Sequence, residues 1–235
     1  MSPEYALISP LNPKSPVSES FRTLRTNIQF ANVDEVLKKI LFTSAGPGEG
    51  KSSTVANLAI AFTLAGKSVL VIDADLRNPT QHRIFGLNNV EGLSTTLVEN
   101  VSVLSQVQAG VRENLDVLTS GPIPPTPAEL LGSKRMKQLL HDASQAYDLV
   151  LIDSPPTIAV TDSSILAQSV DGVVLVLAAG RVRQDYALRA KEQLEKVGAK
   201  IIGTILNKVE IQSNEHYYYY YYHEERRSKR RKTRN

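Results

Sequence analysis

The 235 residues contain no cysteine, so there is no disulfide framework and no thiolate metal site. That absence fits a cytoplasmic location. Histidine is scarce: the four, at positions 82, 141, 216 and 223, share no ligand spacing, and none is assigned to a metal. No Ser/His/Asp arrangement can be argued from the order of the chain. Long apolar runs are missing too. The longest, VVLVLAA at 173–179, is strand length, far below the ~18 residues that cross a bilayer. The chain does not open on the charged-then-apolar pattern of a signal peptide.

What is present is an ordinary globular composition, 42% hydrophobic and 22% charged, in a length that suits one domain or at most two small ones. The net charge of +3 is unevenly placed: seven Lys and Arg fall in residues 226–235 without an acid, which leaves the rest with 20 basic against 24 acidic side chains, a net of −4. The basic character belongs to the tail.

Residues 1–16 are rich in Pro and Ser. Pro16, with Ser15 as a cap, marks a helix start. Phe21, Leu24 and Ile28 then recur at helical spacing, and Glu19, Arg22 and Arg25 fall on the neighbouring arc. Short apolar runs follow at 39–43, 68–73, 115–120, 148–153, 172–179 and 200–206, with helical patterns near 52–65, 127–141, 161–169 and 183–197. GPIPPTP, 121–127, reads as a stiff surface loop. Strands that are apolar throughout, separated by helices, predict an α/β fold: a three-layer, doubly wound, mainly parallel sheet. Ligands of such sheets bind beyond the carboxyl ends of the strands, so the residues just after each run matter most.

After the first run stands SAGPGEGKSS, 44–53. Glycines at 46, 48 and 50 let successive backbone N–H groups turn toward phosphate oxygens, and the helix that starts there adds its positive end. Lys51 can reach β- and γ-phosphates, and the Ser52 hydroxyl can ligate Mg²⁺. Ala45 holds the place of the pattern's first glycine. The bland alternative is a Gly-rich turn before a helix. The second run ends in DADLR, with Asp73, Asp75 and Arg77. The two acids can hold Mg²⁺ or accept a proton from an attacking hydroxyl; the competing reading is a polar strand end with Arg77 in a surface ion pair. Asp153 is the last strand residue of LVLIDSPP, where a lone carboxylate orients Mg²⁺ through water, or else caps the next helix. Asn207 and Lys208 close the last run and can contact a nucleotide base, or form a turn.

Together GPGEGKSS, VLVIDADLR, LVLIDSPP and a C-terminal tyrosine cluster resemble the bacterial tyrosine kinases, and the cytoplasmic kinase subunit of Gram-positive capsule and exopolysaccharide systems in particular. The resemblance implies a P-loop NTPase domain over about 1–210, an oligomerisation helix over about 16–32 and a flexible tail over 211–235. It implies ATP and Mg²⁺ as cofactors, and Gly48, Glu49, Gly50, Lys51, Ser52, Ser53 and Asn207 as the ATP-binding set. Lys51, Asp73, Asp75 and Asp153 would be catalytic, with Asp73 the base on the tyrosine hydroxyl. Ser52, Asp75 and Asp153 would organise the metal. Glu19, Arg22 and Arg25 match the E-x-x-R-x-x-R motif through which the family forms rings, octamers among them. The implied partners are other copies of the chain, a membrane-embedded activator that sets chain length, and a protein-tyrosine phosphatase; no specific nucleic acid is expected. Recruitment to the inner face of the cell membrane would come from that partner.

The substrate implied is the tail itself: Tyr217, Tyr218, Tyr219, Tyr220, Tyr221 and Tyr222, phosphorylated in the site of a neighbouring subunit. The six are contiguous and a basic run follows them. From residue 211 the fully extended tail would span roughly 80 Å at ~3.3 Å per residue. Each phosphate adds about −1.5 to −2 charges, enough to reverse the tail's sign. The rival reading is a P-loop positioning ATPase, a nucleotide switch that labels no tyrosine. Its signature lysine would fall at position 46, where this chain has Gly46.

Overall fold

The computed structural model describes residues 7, 15–31, 36–99 and 101–210. The six tyrosines and the basic run, residues 211–235, lie outside the described residues. Seven strands form one sheet: β1 (Lys39–Ser44), β2 (Val69–Asp73), β3 (Gln108–Arg112), β4 (Leu115–Leu118), β5 (Leu149–Asp153), β6 (Gly172–Ala178) and β7 (Ile201–Asn207). The helices among the described residues are α1 (Pro16–Gln29), α2 (Lys51–Thr63), α3 (Gln81–Phe85), α4 (Leu93–Glu99), α5 (Val103–Gln106), α6 (Pro127–Leu131), α7 (Lys134–Ala146), α8 (Asp162–Ala167) and α9 (Gln184–Lys196).

The strand order is β3-β4-β2-β5-β1-β6-β7, parallel everywhere but the β3–β4 pair. The central strands are apolar on both faces because both faces are covered. Ile40 and Phe42 of β1, Val69 and Val71 of β2, and Leu149 and Leu151 of β5 pack toward α1 and α2. The alternate residues, Leu41, Leu70, Ile72, Val150 and Ile152, pack against α4 through α9. Each such side chain removed from water stabilises the fold by roughly 1.5–3 kcal/mol.

The expected runs all appear as strands. β3 was not anticipated: its QAGVR sequence carries no apolar run and none of it is buried, and it is set by a tight turn in which Asn114 has φ 59°. The helical pattern expected over 127–141 divides in two. Gly132 caps α6, and the Ser133 hydroxyl then accepts from the Met136 amide at 3.2 Å and starts α7 anew. At α1 the Ser15 hydroxyl accepts from the Ser18 amide at 3.0 Å, with Pro16 in the first turn. Phe21, Leu24 and Ile28 of this helix face the α2 side of the core, as their spacing predicts.

Candidate active site

Three strands that are neighbours in space, β2, β5 and β1, deliver the charged residues to one edge of the sheet. Asp73 and Asp153 are the last residues of β2 and β5 and lie side by side in the ladder. Asp153 is also level with Phe42 of β1, and the loop that leaves β1 opens α2 at Lys51. The helices after β1 and β5 pass to opposite faces, α2 to one and α8 to the other, which leaves a crevice at this edge.

The loop has the backbone geometry its glycines were read for: Gly48 has φ 73° and Gly50, the residue before α2, has φ 83°. A side chain on Gly50 would meet the Asn207 amide nitrogen at 2.1 Å. The loop is braced from behind by residues whose neighbourhood the sequence did not reveal. Glu49 is buried, and its carboxylate accepts from the Gly46 amide on one oxygen and from the Ala178 amide, at 3.0 Å, on the other. Asn207 donates to the Glu49 carbonyl at 3.0 Å, and Lys208 donates to the Gly48 carbonyl at 2.6 Å. The side chains of Glu49 and Asn207 therefore hold the loop in shape. Backbone N–H groups remain the means of gripping an anion.

Lys51 is 6% exposed and donates to Asp153 Oδ1. It also lies 3.9 Å from Asp75 Oδ2 and 3.3 Å from the Ser52 hydroxyl. Asp75 accepts from the Asn78 amide at 3.0 Å, and burial raises its pKa against the pull of Lys51. Asp73 is fully buried. One oxygen takes the Thr80 and Gln81 amides, at 3.0 and 2.8 Å, and the other lies 3.3 Å from the Asp75 amide. Burial, and then the Asp153 charge beside it, push the Asp73 carboxyl up to about 8. A group with that proton affinity can exchange a proton near neutral pH.

The arrangement thus brings Lys51, Ser52, Asp73, Asp75 and Asp153 to one place, while the tyrosines and any contact they make fall outside the described residues. Among the described residues no three carboxylate or histidine side chains make a ready metal cage. That suits Mg²⁺, which is held by one or two carboxylates plus phosphate and water. Ser52, Asp75 and Asp153 could supply such ligands. His82 and His141 take no part in any such group. Arg77 makes no surface pair with a solvated acid. Its guanidinium forks onto the fully buried Asp162 at the start of α8, at 2.9 and 3.0 Å, and ties the β2–α3 loop to the one after β5. Asp162, not Asp153, is the acid that opens the next helix.

Sequence reasoning missed Gln81. Its amide nitrogen donates to Asp153 Oδ2 at 2.7 Å and to the Ser52 carbonyl at 3.2 Å. No motif marks it. It reaches Asp153 only because the loop after Asp73 turns back on itself.

Comparison with known proteins gives the family. Residues 35–234 match the model of the family described as ParA, NUBPL iron-transfer P-loop NTPase. These residues hold no cysteine to ligate iron. The chain is 52% identical to tyrosine-protein kinase YwqD of Bacillus subtilis over 201 residues, 86% of this chain and 85% of that one. It is 37% identical to tyrosine-protein kinase CpsD of Streptococcus agalactiae over 202 residues, 86% of this chain and 87% of that one. Among solved structures, the chimerical protein CapA2B2 aligns with a TM-score of 0.81 at 43% identity, covering 85% of this chain and 88% of its own. The septum site-determining protein MinD of Pyrococcus horikoshii, solved with Mg-ADP, aligns with a TM-score of 0.62 at 23% identity over 72% of this chain and 69% of its own. That likeness extends to the fold alone.

Proposed function

The chain belongs to the tyrosine-protein kinases built on the ParA-type P-loop fold, and from that premise we propose that it phosphorylates the tyrosine cluster Tyr217–Tyr222 of a neighbouring copy. The observation that carries this reading is the lysine of a phosphate loop clasped between Asp153 and Asp75. The positioning-ATPase reading loses its support, because the MinD likeness is one of fold and the kinase likeness one of sequence.

In the proposed reaction the phenol oxygen bonds to the γ-phosphorus of ATP, and the bond from that phosphorus to the bridging oxygen breaks, releasing ADP. Asp73 takes the phenol proton. The loop amides of residues 48–51 orient the phosphates. Lys51 exchanges its Asp153 partner for phosphate oxygens, where its charge offsets the charge that builds up in transfer. Ser52, Asp75 and Asp153 would hold Mg²⁺, which when bound neutralises phosphate charge.

Glu19, Arg22 and Arg25 lie together on α1 and would join copies into a ring. A membrane-embedded activator would draw the kinase to the inner face of the membrane; no described helix is long and apolar enough to cross one. That one solved neighbour is a chimera fits a kinase that works with a second polypeptide. Dephosphorylation by a protein-tyrosine phosphatase and a role in capsule or exopolysaccharide synthesis and export complete the proposal.

A mixing experiment tests it. A Lys51→Met chain with its tail is combined with an active chain lacking residues 217–222, in the presence of Mg-ATP. Phosphotyrosine on the Lys51→Met chain is the expected result. Its absence, with both chains folded and the full-length active chain labelling itself, would overturn transfer between copies.

A further inference from the structure

Four buried side-chain polar atoms among the described residues have no hydrogen-bond partner, and three belong to consecutive residues: Thr80 Oγ1, Gln81 Oε1 and His82 Nδ1. Buried polar groups are nearly always satisfied, so a run of orphans asks for a missing partner. Gln81 is the informative one because its other amide atom is already in the site. The Gln81 side chain is fully buried. The neighbours of its nitrogen, Asp153 Oδ2 and the Ser52 carbonyl, are both acceptors, which fixes the amide orientation. The oxygen is left over as an acceptor in a dry place beside Ser52 and Asp153, the residues assigned to magnesium.

We propose that Gln81 is a positioning residue for hydrated magnesium, holding the Asp153 carboxylate with its nitrogen and offering Oε1 to a water on the cation. The inference rests on the nucleotide site proposed above. Asp153 has two oxygens, one facing Lys51 and the other Gln81. When Lys51 turns to phosphate, Gln81 keeps the carboxylate from rotating away from the metal. The free oxygen accounts for the orphan: it acquires its donor only with the hydrated ion. A glutamine here suits better than an acid, because a third carboxylate beside Asp73 and Asp153 would add to a repulsion that already raises the Asp73 pKa. Residues that orient a metal's ligands typically change metal affinity by about 10–100-fold when removed.

The test measures binding, not turnover. ADP affinity is determined with excess Mg²⁺ and again with EDTA, for the wild type, Gln81→Met, which keeps the length and loses both polar atoms, and Gln81→Ala. Melting temperatures of the nucleotide-free proteins establish that the variants fold, and Gln81→Ala serves if Gln81→Met does not. The expected result is a roughly tenfold loss of affinity for Mg-ADP with metal-free ADP unchanged. A wild-type ratio between the two affinities would overturn the inference, as would an equal loss of both, which would mark a purely structural role. If the wild type binds neither form, the nucleotide site itself is wrong, and that failure is told apart from the others by the wild-type measurement alone.

Discussion

Lys51 sits between two carboxylates in a place with little water, so its charge matters both to them and to any phosphate that displaces them. Replacing it with methionine keeps the bulk and removes the charge. We expect Lys51→Met to lower autophosphorylation by at least about 100-fold, the scale for loss of one group that stabilises developing charge, with a cooperative melt retained. Phosphotyrosine labelling beside a thermal scan checks this, and wild-type labelling would refute the assignment. Arg77 is a different case. Its partner Asp162 is fully buried, while Arg77 itself is 41% exposed. Removing one member of a buried pair strands the other and costs about 3–5 kcal/mol; the exposure of Arg77 puts Arg77→Ala near the lower end. At 2–4 °C per kcal/mol for a chain of roughly this size, a fall in melting temperature of about 6–12 °C is expected. A change within error would show that Asp162 finds water or another donor.

At the scale of the element, the phosphate loop is held as a unit with the ends of β6 and β7, and two glycines separate its sources of strain. Gly48 and Gly50 both have left-handed backbones, but only Gly50 meets a neighbour, Asn207. Alanine in that conformation costs about 1–2 kcal/mol. Gly48→Ala should show that cost alone. Gly50→Ala should add about 1 kcal/mol for the Asn207–Glu49 hydrogen bond it breaks, and should weaken Mg-ADP binding more than Gly48→Ala does. Equal effects in denaturant unfolding and nucleotide titration would mean that Asn207 yields freely and is no brace. The elements also show why reading the chain succeeded where it did. β1, β2 and β5 are buried on both faces, so their apolar runs carry the signal undiluted. β3 is an edge strand without an apolar run, and its pairing comes from the turn at Asn114 and its neighbour β4, not from its own composition.

For the whole molecule, the question is how copies meet. Arg22 pairs with Glu19 at 2.7 Å on an open face of α1, whereas Arg25 donates to the Ala61 carbonyl of α2 at 3.1 Å. The two arginines therefore should not behave alike. Arg22→Ala is expected to shift oligomers toward monomer. Arg25→Ala should shift oligomers and also lower the melting temperature, since it loosens α1 from the body of the subunit. Light scattering and a thermal scan on each variant decide this; an intact oligomer in the Arg22→Ala, Arg25→Ala double variant would remove the ring motif from the account. Phosphotyrosine labelling should fall with oligomer content if transfer passes between copies.

The sequence by itself determined the class of fold and the chemistry at the heart of the site. A phosphate loop and strand-ending acids are local patterns, and a parallel sheet has one place where strand ends and a loop of that kind converge. Only the tertiary structure decided who braces whom. Glu49 proved to be a strut reaching to Ala178, Arg77 the partner of a buried acid 85 residues away in sequence, and Gln81 a neighbour of Asp153 across 72. Such contacts join elements distant along the chain, and a polar side chain carries no sign in the sequence of which buried group it will satisfy until the backbone has brought them within 3 Å.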